Sequence, residues 1–275
     1  MIEHVARAAS RAFLVAFLIA MPSMLLPGTA GDASALVVLV AILAGAMIFF
    51  EYIAEYPSVI EFRYAAPFNR LRFTTVLIVV FILAMILRAE AYPTQISLVL
   101  TAFARILGNL MDFPYSPIRL ALLTLPPETP AALVSTLRMT AAMAYAISAM
   151  AVLFFFAAVH LGNWPRGNGG FNVWINLPMF DPTQGDVLTR LTRDARLNVM
   201  LGFILPFLIP AVIKGIWGSM SLDILSEPHA LIWSVTIWAC LPSLMMLRGI
   251  ALGRVADMIG EKRRRAYAES KVHIA

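Results

Sequence analysis

The amino-acid sequence predicts an all-α protein. It reads as a polytopic membrane helix bundle of about six transmembrane helices with both termini cytoplasmic, plus a periplasmic amphipathic or re-entrant segment. Three observations carry this reading. Of 275 residues, 60% are hydrophobic and only 13% charged, against about 25% charged in a soluble domain. Mean hydropathy is +0.81. Finally, Lys and Arg gather beside every second gap between the apolar runs, which gives the bundle a direction.

A helix needs about 20 apolar residues to cross a hydrocarbon core of about 30 Å. The segments that approach this are 12–26, 34–50, 73–87, 139–161, 199–217 and 231–247. The first and third are short and must recruit flanking residues. Segment 12–26 has a second reading, because Arg7 and Arg11, an apolar run and Gly28-Thr29-Ala30 also resemble a cleavable signal peptide. A retained first span is the favoured one. With the spans removed, no soluble stretch reaches the ~50 residues of a small domain, so the chain reads as a single integral membrane domain.

Arg7 and Arg11 precede the first span. The loop 51–72 carries Arg63, Arg70 and Arg72, and the loop 162–198 carries Arg166, Arg190, Arg193 and Arg196. The tail 248–275 carries Arg248, Arg254, Lys262, Arg263, Arg264, Arg265 and Lys271. Sixteen of the 21 basic residues therefore fall on one side of a six-span map, as the positive-inside rule requires of a cytoplasmic face. The expected location is a bacterial cytoplasmic (inner) membrane. A net charge of +5 follows from the same rule and gives no reason to expect nucleic acid.

The segment 89–135 breaks the regularity. Residues 94–111 are apolar enough for a span, but counting them as one places the arginines of loop 162–198 outside. Two readings remain: an amphipathic helix on the periplasmic face, or a re-entrant hairpin covered by protein, since lipid leaves bent backbone unsatisfied. Arg105, Asp112 and Arg119 recur every seven residues, but Pro114 and Pro117 interrupt any common helix.

Loop 51–72 contains Glu51, Glu55 and Glu61 among Arg63, Arg70 and Arg72. Three headgroup-level acids suit general acid–base or metal chemistry; pairing with the nearby arginines is the simpler expectation. Loop 162–198 opens with Trp164 and a Gly167–Gly170 turn, which lacks the Lys-Ser/Thr of a phosphate loop. A segment with Phe171, Trp174 and Phe180 follows, with strand-like alternation over 171–177. Asp181, Pro182 and Gln184 then form a helix-start signature. The helix after it should lie on the membrane surface, with Arg190 paired to Asp186 and Asp194. Trp164, Phe171, Trp174, Phe180, Arg190 and Arg193 are the expected partner-binding set, since aromatic and Arg side chains are enriched at interfaces.

In the fifth span, Pro206 and Pro210 free the carbonyls of Gly202 and Pro206. Freed carbonyls at mid-membrane suit either a static kink or a transport site. Pro206, Pro210, Arg105 and Lys214 form the transport-pathway set. No span has a central acid to run a proton relay.

Catalytic signatures are missing: no HExxH, GxSxG, histidine boxes or opposed histidines are found. Cys240, the only cysteine, excludes an intramolecular disulfide. No catalytic residue, metal site or cofactor is expected. The leading functional expectation is a non-enzymatic accessory, assembly or scaffold subunit that binds a partner through its cytoplasmic loops. A small-solute or ion transporter or channel comes second, and an enzyme acting at the cytoplasmic headgroup level third. Expected partners are the lipid bilayer, a membrane protein or a second copy of the chain, and anionic lipid at Lys262, Arg263, Arg264 and Arg265.

Overall fold

A computed structural model describes residues 2–26, 32–55, 59–63, 65–162, 164–165, 186–217 and 226–272. The order is α1 (Ile2–Leu25), α2 (Asp32–Ile53), α3 (Phe68–Ala91), α4 (Gln95–Met111), α5 (Pro117–Leu122), α6 (Ala131–His160), α7 (Val187–Trp217) and α8 (Pro228–Val272). No strand occurs among the described residues. Six of these helices, α1, α2, α3, α6, α7 and α8, are long and apolar enough to cross a membrane. The capping motif at Asp181, the possible strand over 171–177 and the Gly28 region lie outside the described residues.

Helix α8 organises the bundle. It packs on α7, α6 and α3, while α2 packs on α1 and α1 on α3. α2 is the outermost element: Leu36, Leu39, Leu43, Met47 and Phe50 are all exposed. In a bilayer these side chains face acyl chains, which are as apolar as they are, so their exposure carries no penalty.

Side-chain clusters define two ends. At one end Phe62, Phe68, Phe155 and Trp164 meet Leu191, Leu247, Leu252 and Val255. This joins the start of α3, the end of α6, the first part of α7 and the middle of α8. At the other end Leu26, Leu83, Leu125, Leu137 and Leu231 share one core. Glu61, Phe62, Trp164 and the first turns of α7, described parts of loops 51–72 and 162–198, thus lie at the same end as Arg248 and Arg254. We call it the basic end.

α4 packs on α3, α5 and α6. A capping box between Thr94 and Ser97 starts it. Ser97, Ala104 and Gly108 are buried against the bundle, whereas Ile96, Val99, Phe103, Ile106 and Leu110 form an exposed apolar stripe. Arg105 and Asn109 are exposed on a third strip. Pro117 opens the separate helix α5, where Ser116 accepts the Arg119 amide at 3.0 Å.

α7 is one continuous helix from Val187, not a surface helix followed by a span. Its first turns run beside α8: Leu191 and Ala195 are buried with Ala251 and Val255. The two helices approach closely at two glycines. A Cβ on Gly249 would meet the Ala195 carbonyl oxygen at 2.7 Å, and one on Gly202 would meet the Pro242 carbonyl oxygen at 2.5 Å. Neither carbonyl can move without breaking its helix, so both positions require glycine. α8 runs unbroken through Pro242 to Val272. At 1.5 Å per residue it is about 67 Å long, roughly twice a hydrocarbon core. Its last third therefore leaves the membrane at the basic end, with the start of α7 beside it.

Gly249→Ala should push α7 away from α8 and destabilise the protein by about 1–3 kcal/mol. Gly215→Ala, where nothing lies within 4 Å of the new methyl, should be neutral or slightly stabilising. Unfolding in mixed detergent micelles would rank the two variants.

Candidate functional site

The polar groups that the sequence singles out fall into three places. The first is the basic end. Glu61 sits in a turn after α2 and is only 7% exposed. Arg248 of α8 grips it with a forked contact: Nε donates to Oε2 at 2.8 Å and Nη2 to Oε1 at 2.9 Å. The Asn69 side-chain amide donates to the Glu61 carbonyl at 2.7 Å. The next residue, Phe62, has φ 54°, a left-handed conformation unfavourable for a residue with a Cβ. Its fully buried ring, edge-on to Phe68 and Trp164, holds that conformation. The same turn aims Glu61 at Arg248.

Glu51 does different work. Its Oε2 accepts the amides of Val59 and Ile60 at 3.1 and 3.4 Å. Arg63 closes the loop by donating to the carbonyls of Glu51 and Ala54 at 3.1 and 2.8 Å. Glu55 is exposed. The three headgroup-level acids therefore serve separate partners. No cluster of three or more His, Cys, Asp or Glu able to hold a metal occurs among the described residues.

Of the expected partner-binding residues, Phe171, Trp174 and Phe180 lie outside the described residues. Trp164 is 2% exposed and turned inward against Phe62, Phe68 and Phe155, so its ring packs within the chain. Its carbonyl accepts Arg254 Nε at 3.0 Å. Arg190 is half-buried, with Nη1 lacking a hydrogen-bond partner. Arg193 is largely exposed, 3.8 Å from Asp194. Asp186 pairs not with Arg190 but with Arg263 of α8, through two contacts of 2.8 Å. Sequence spacing within one helix cannot reveal this partner, which lies 77 residues away. The Arg263 hydrogen bonds hold the Asp186 carboxyl below its usual value.

The second place is the break in α7. Pro210 leaves the Pro206 carbonyl without its helical donor. Trp238 Nε1 of α8 supplies one at 3.2 Å. Beside this contact lies a cavity of about 310 Å³ between α5, α6, α7 and α8, lined by Ala141, Pro210, Ile213 and Trp238. Of the other transport-pathway residues, Lys214 is exposed near the end of α7, and Arg105 is exposed on α4. The four do not form one constellation.

The third place is the opposite end. Asp112, just after α4, has its side chain 7% exposed between Arg119 Nε at 2.8 Å and Arg138 Nε at 2.9 Å. Both are ion-pair distances, although the Asp112 Oδ1 and Arg138 Nε atoms miss hydrogen-bond geometry. This contact fastens the α4–α5 connection to α6. Arg88 donates to the Leu25 carbonyl at 2.8 Å, capping the end of α1.

Compared with protein-family models, curated proteins and solved structures, the chain matches none. Function must be read from these contacts alone.

Trp238→Phe should remove the indole donor and cost about 0.5–1.5 kcal/mol. Pro210→Ala in the same background restores an amide for the Pro206 carbonyl and should recover stability; a double-mutant cycle in detergent measures this. At the arm, a carboxyl with a lowered folded value is stabilising above its unfolded pKa, and the contribution disappears as pH falls through the folded value. The Asp186–Arg263 tether should thus hold at neutral pH and release only below the ordinary aspartate range. NMR titration of the Asp186 carboxyl should show a depressed midpoint, returning to the ordinary range in Arg263→Gln.

Proposed function

We propose that this integral membrane protein is a non-enzymatic accessory or assembly subunit that docks a partner at its basic end. The observation that carries the proposal is the arm formed by the start of α7 and the extension of α8. Leu191 and Ala195 pack on Ala251 and Val255, and Asp186 staples the arm to Arg263. The arm projects past the apolar core and presents Arg193, Lys262, Arg264 and Arg265 on exposed faces. A helical pair that exposes arginines, two of them in long contacts only (Arg193 with Asp194 at 3.8 Å, Arg265 with Glu261 at 4.0 Å), suits recognition of an acidic partner surface.

The competing chemistries find less support. An enzyme using Glu51, Glu55 and Glu61 would need them to converge, yet Glu51 caps loop amides and Glu61 is forked to Arg248. A transporter using the break in α7 would need its freed carbonyls, and Trp238 occupies that of Pro206. The proposal places the basic end and both termini in the cytoplasm of a bacterial cell, by the positive-inside rule. It places α4 as an amphipathic helix at the periplasmic face, because its three strips would meet protein, lipid and water.

Full-length protein, extracted from its native membrane in mild detergent, should carry a stoichiometric protein partner. Arg193→Glu combined with Arg264→Glu should reduce that partner at least fivefold without altering thermal unfolding. A chain that runs alone, or a partner retained at full stoichiometry by the double variant, refutes this role for the arm.

A further inference from the structure

A second cleft, of about 390 Å³, lies between α3 and α8 and is lined by Arg72, Val76, Trp233, Thr236, Ile237, Cys240, Leu241, Leu244, Met245 and Arg248. Its size falls in the range of small-molecule sites, about 300–1,000 Å³. Its polarity is sorted by position. Both arginines sit at the basic end, and the residues beyond them are mostly apolar. On α8 the positions 237, 241, 244 and 248 recur at helical spacing, so Ile237, Leu241, Leu244 and Arg248 form one stripe. From Trp233 to Arg248 the stripe runs about 22 Å, enough to cover one leaflet of a ~30 Å core. Ile237 and Leu241 are 57% and 45% exposed, so the cleft opens sideways from the bundle. In a membrane that side is lipid.

The charges at the basic end of the cleft are unequal. Arg248 is committed to Glu61. Arg72 stacks over Phe68 at 5.3 Å and has no carboxylate within 4 Å among the described residues. Glu61 also acts on Arg72 through space, and Asp194 of α7 acts on Arg248, but only Arg248 is in direct contact with a carboxylate. A partly buried guanidinium beside an apolar cleft favours an anion with bidentate oxygens, the geometry a phosphate supplies.

We infer that this cleft binds one anionic phospholipid, its phosphate on Arg72 at the edge of the Arg248–Glu61 pair and one acyl chain along Ile237, Leu241 and Leu244. The site is separate from the exposed Lys262–Arg265 run, which attracts anionic lipid only by charge. It stands independently of the partner-docking role of the arm. Thr236 lies about 18 Å along α8 from Arg248, beyond reach of a headgroup at Arg72, although its buried hydroxyl lacks a hydrogen-bond partner.

Native mass spectrometry of delipidated full-length protein in dodecyl maltoside tests the site, with phosphatidylglycerol, phosphatidylcholine or inorganic phosphate added separately. One phosphatidylglycerol should remain bound, at several-fold higher occupancy than phosphatidylcholine. Arg72→Gln should lower that occupancy at least fivefold. Leu241→Trp should do the same by filling the exposed lip of the cleft without touching either arginine, so the test survives if Arg72→Gln does not fold. Thr236→Val, and Gln at all four positions 262–265, should leave occupancy within twofold. Full retention by both Arg72→Gln and Leu241→Trp overturns the inference. So does equal binding of the two lipids, loss confined to the tail variant, inorganic phosphate competing as well as the lipid, or a dimer that excludes lipid from the cleft.

Discussion

A bilayer offers no hydrogen bonds, so each polar group released inside this bundle must be answered from within it. The remaining contacts follow from that constraint. Pro210 frees a carbonyl on α7, and an indole on α8 meets it at 3.2 Å. α1 ends with open carbonyls, and Arg88 reaches across from α3 to Leu25. Asp112 is drawn in between two arginines from different helices. Each answer comes from a different element than the one that poses the need. The polar contacts therefore tie together helices whose apolar surfaces alone would slide past one another, because lipid competes equally for those surfaces.

The basic end shows how packing and charge depend on each other. Glu61 can be buried only because Arg248 forks onto it, and breaking one half of such a pair would leave an uncompensated charge. The fork can form only because Phe62 holds a left-handed turn, and that turn persists because its ring is locked among Phe68 and Trp164. Trp164 in turn anchors Arg254 through its carbonyl. One cluster thus connects the loop after α2, the start of α3, the end of α6 and the middle of α8. It packs the basic end of the bundle, where the first turns of α7 lie against α8.

Much of the architecture is legible in the sequence because membrane physics writes it in long runs. All six apolar segments are helical, and the described parts of the two arginine-bearing loops meet at one end. The helices extend further than hydropathy alone indicates. α7 begins at Val187 and α8 continues to Val272, because antiparallel packing between them, through Gly249 and Ala195, stabilises turns that no apolar window marks. The site was less legible. Glu61 makes a tertiary ion pair, but its partner is 187 residues away and no local spacing points to it. Trp164 reads in the sequence as a partner-binding aromatic, whereas the rings of Phe62, Phe68 and Phe155, from three other segments, bury it. The role of Trp238 has no local signal: a proline pair on one span marks a freed carbonyl, and the indole that meets it stands 32 residues away on another span.

Arg72 and Arg248 illustrate why charge near a membrane face must be read with its partners. Both stand at the same level and line the same cleft, yet Arg248 is neutralised by a carboxylate and Arg72 only rests on a ring. A headgroup-level arginine on the outside of a helix needs no partner, since its side chain reaches water or phosphate unaided. Arg72 is half-buried and borders an apolar cleft, which restricts that freedom. Its charge is then best satisfied by an anion that comes with its own apolar body, and the bilayer supplies such molecules at high local concentration. The cleft lies between α3 and α8, apart from the exposed Arg193, Lys262, Arg264 and Arg265 of the arm, so the two proposed roles draw on different surfaces.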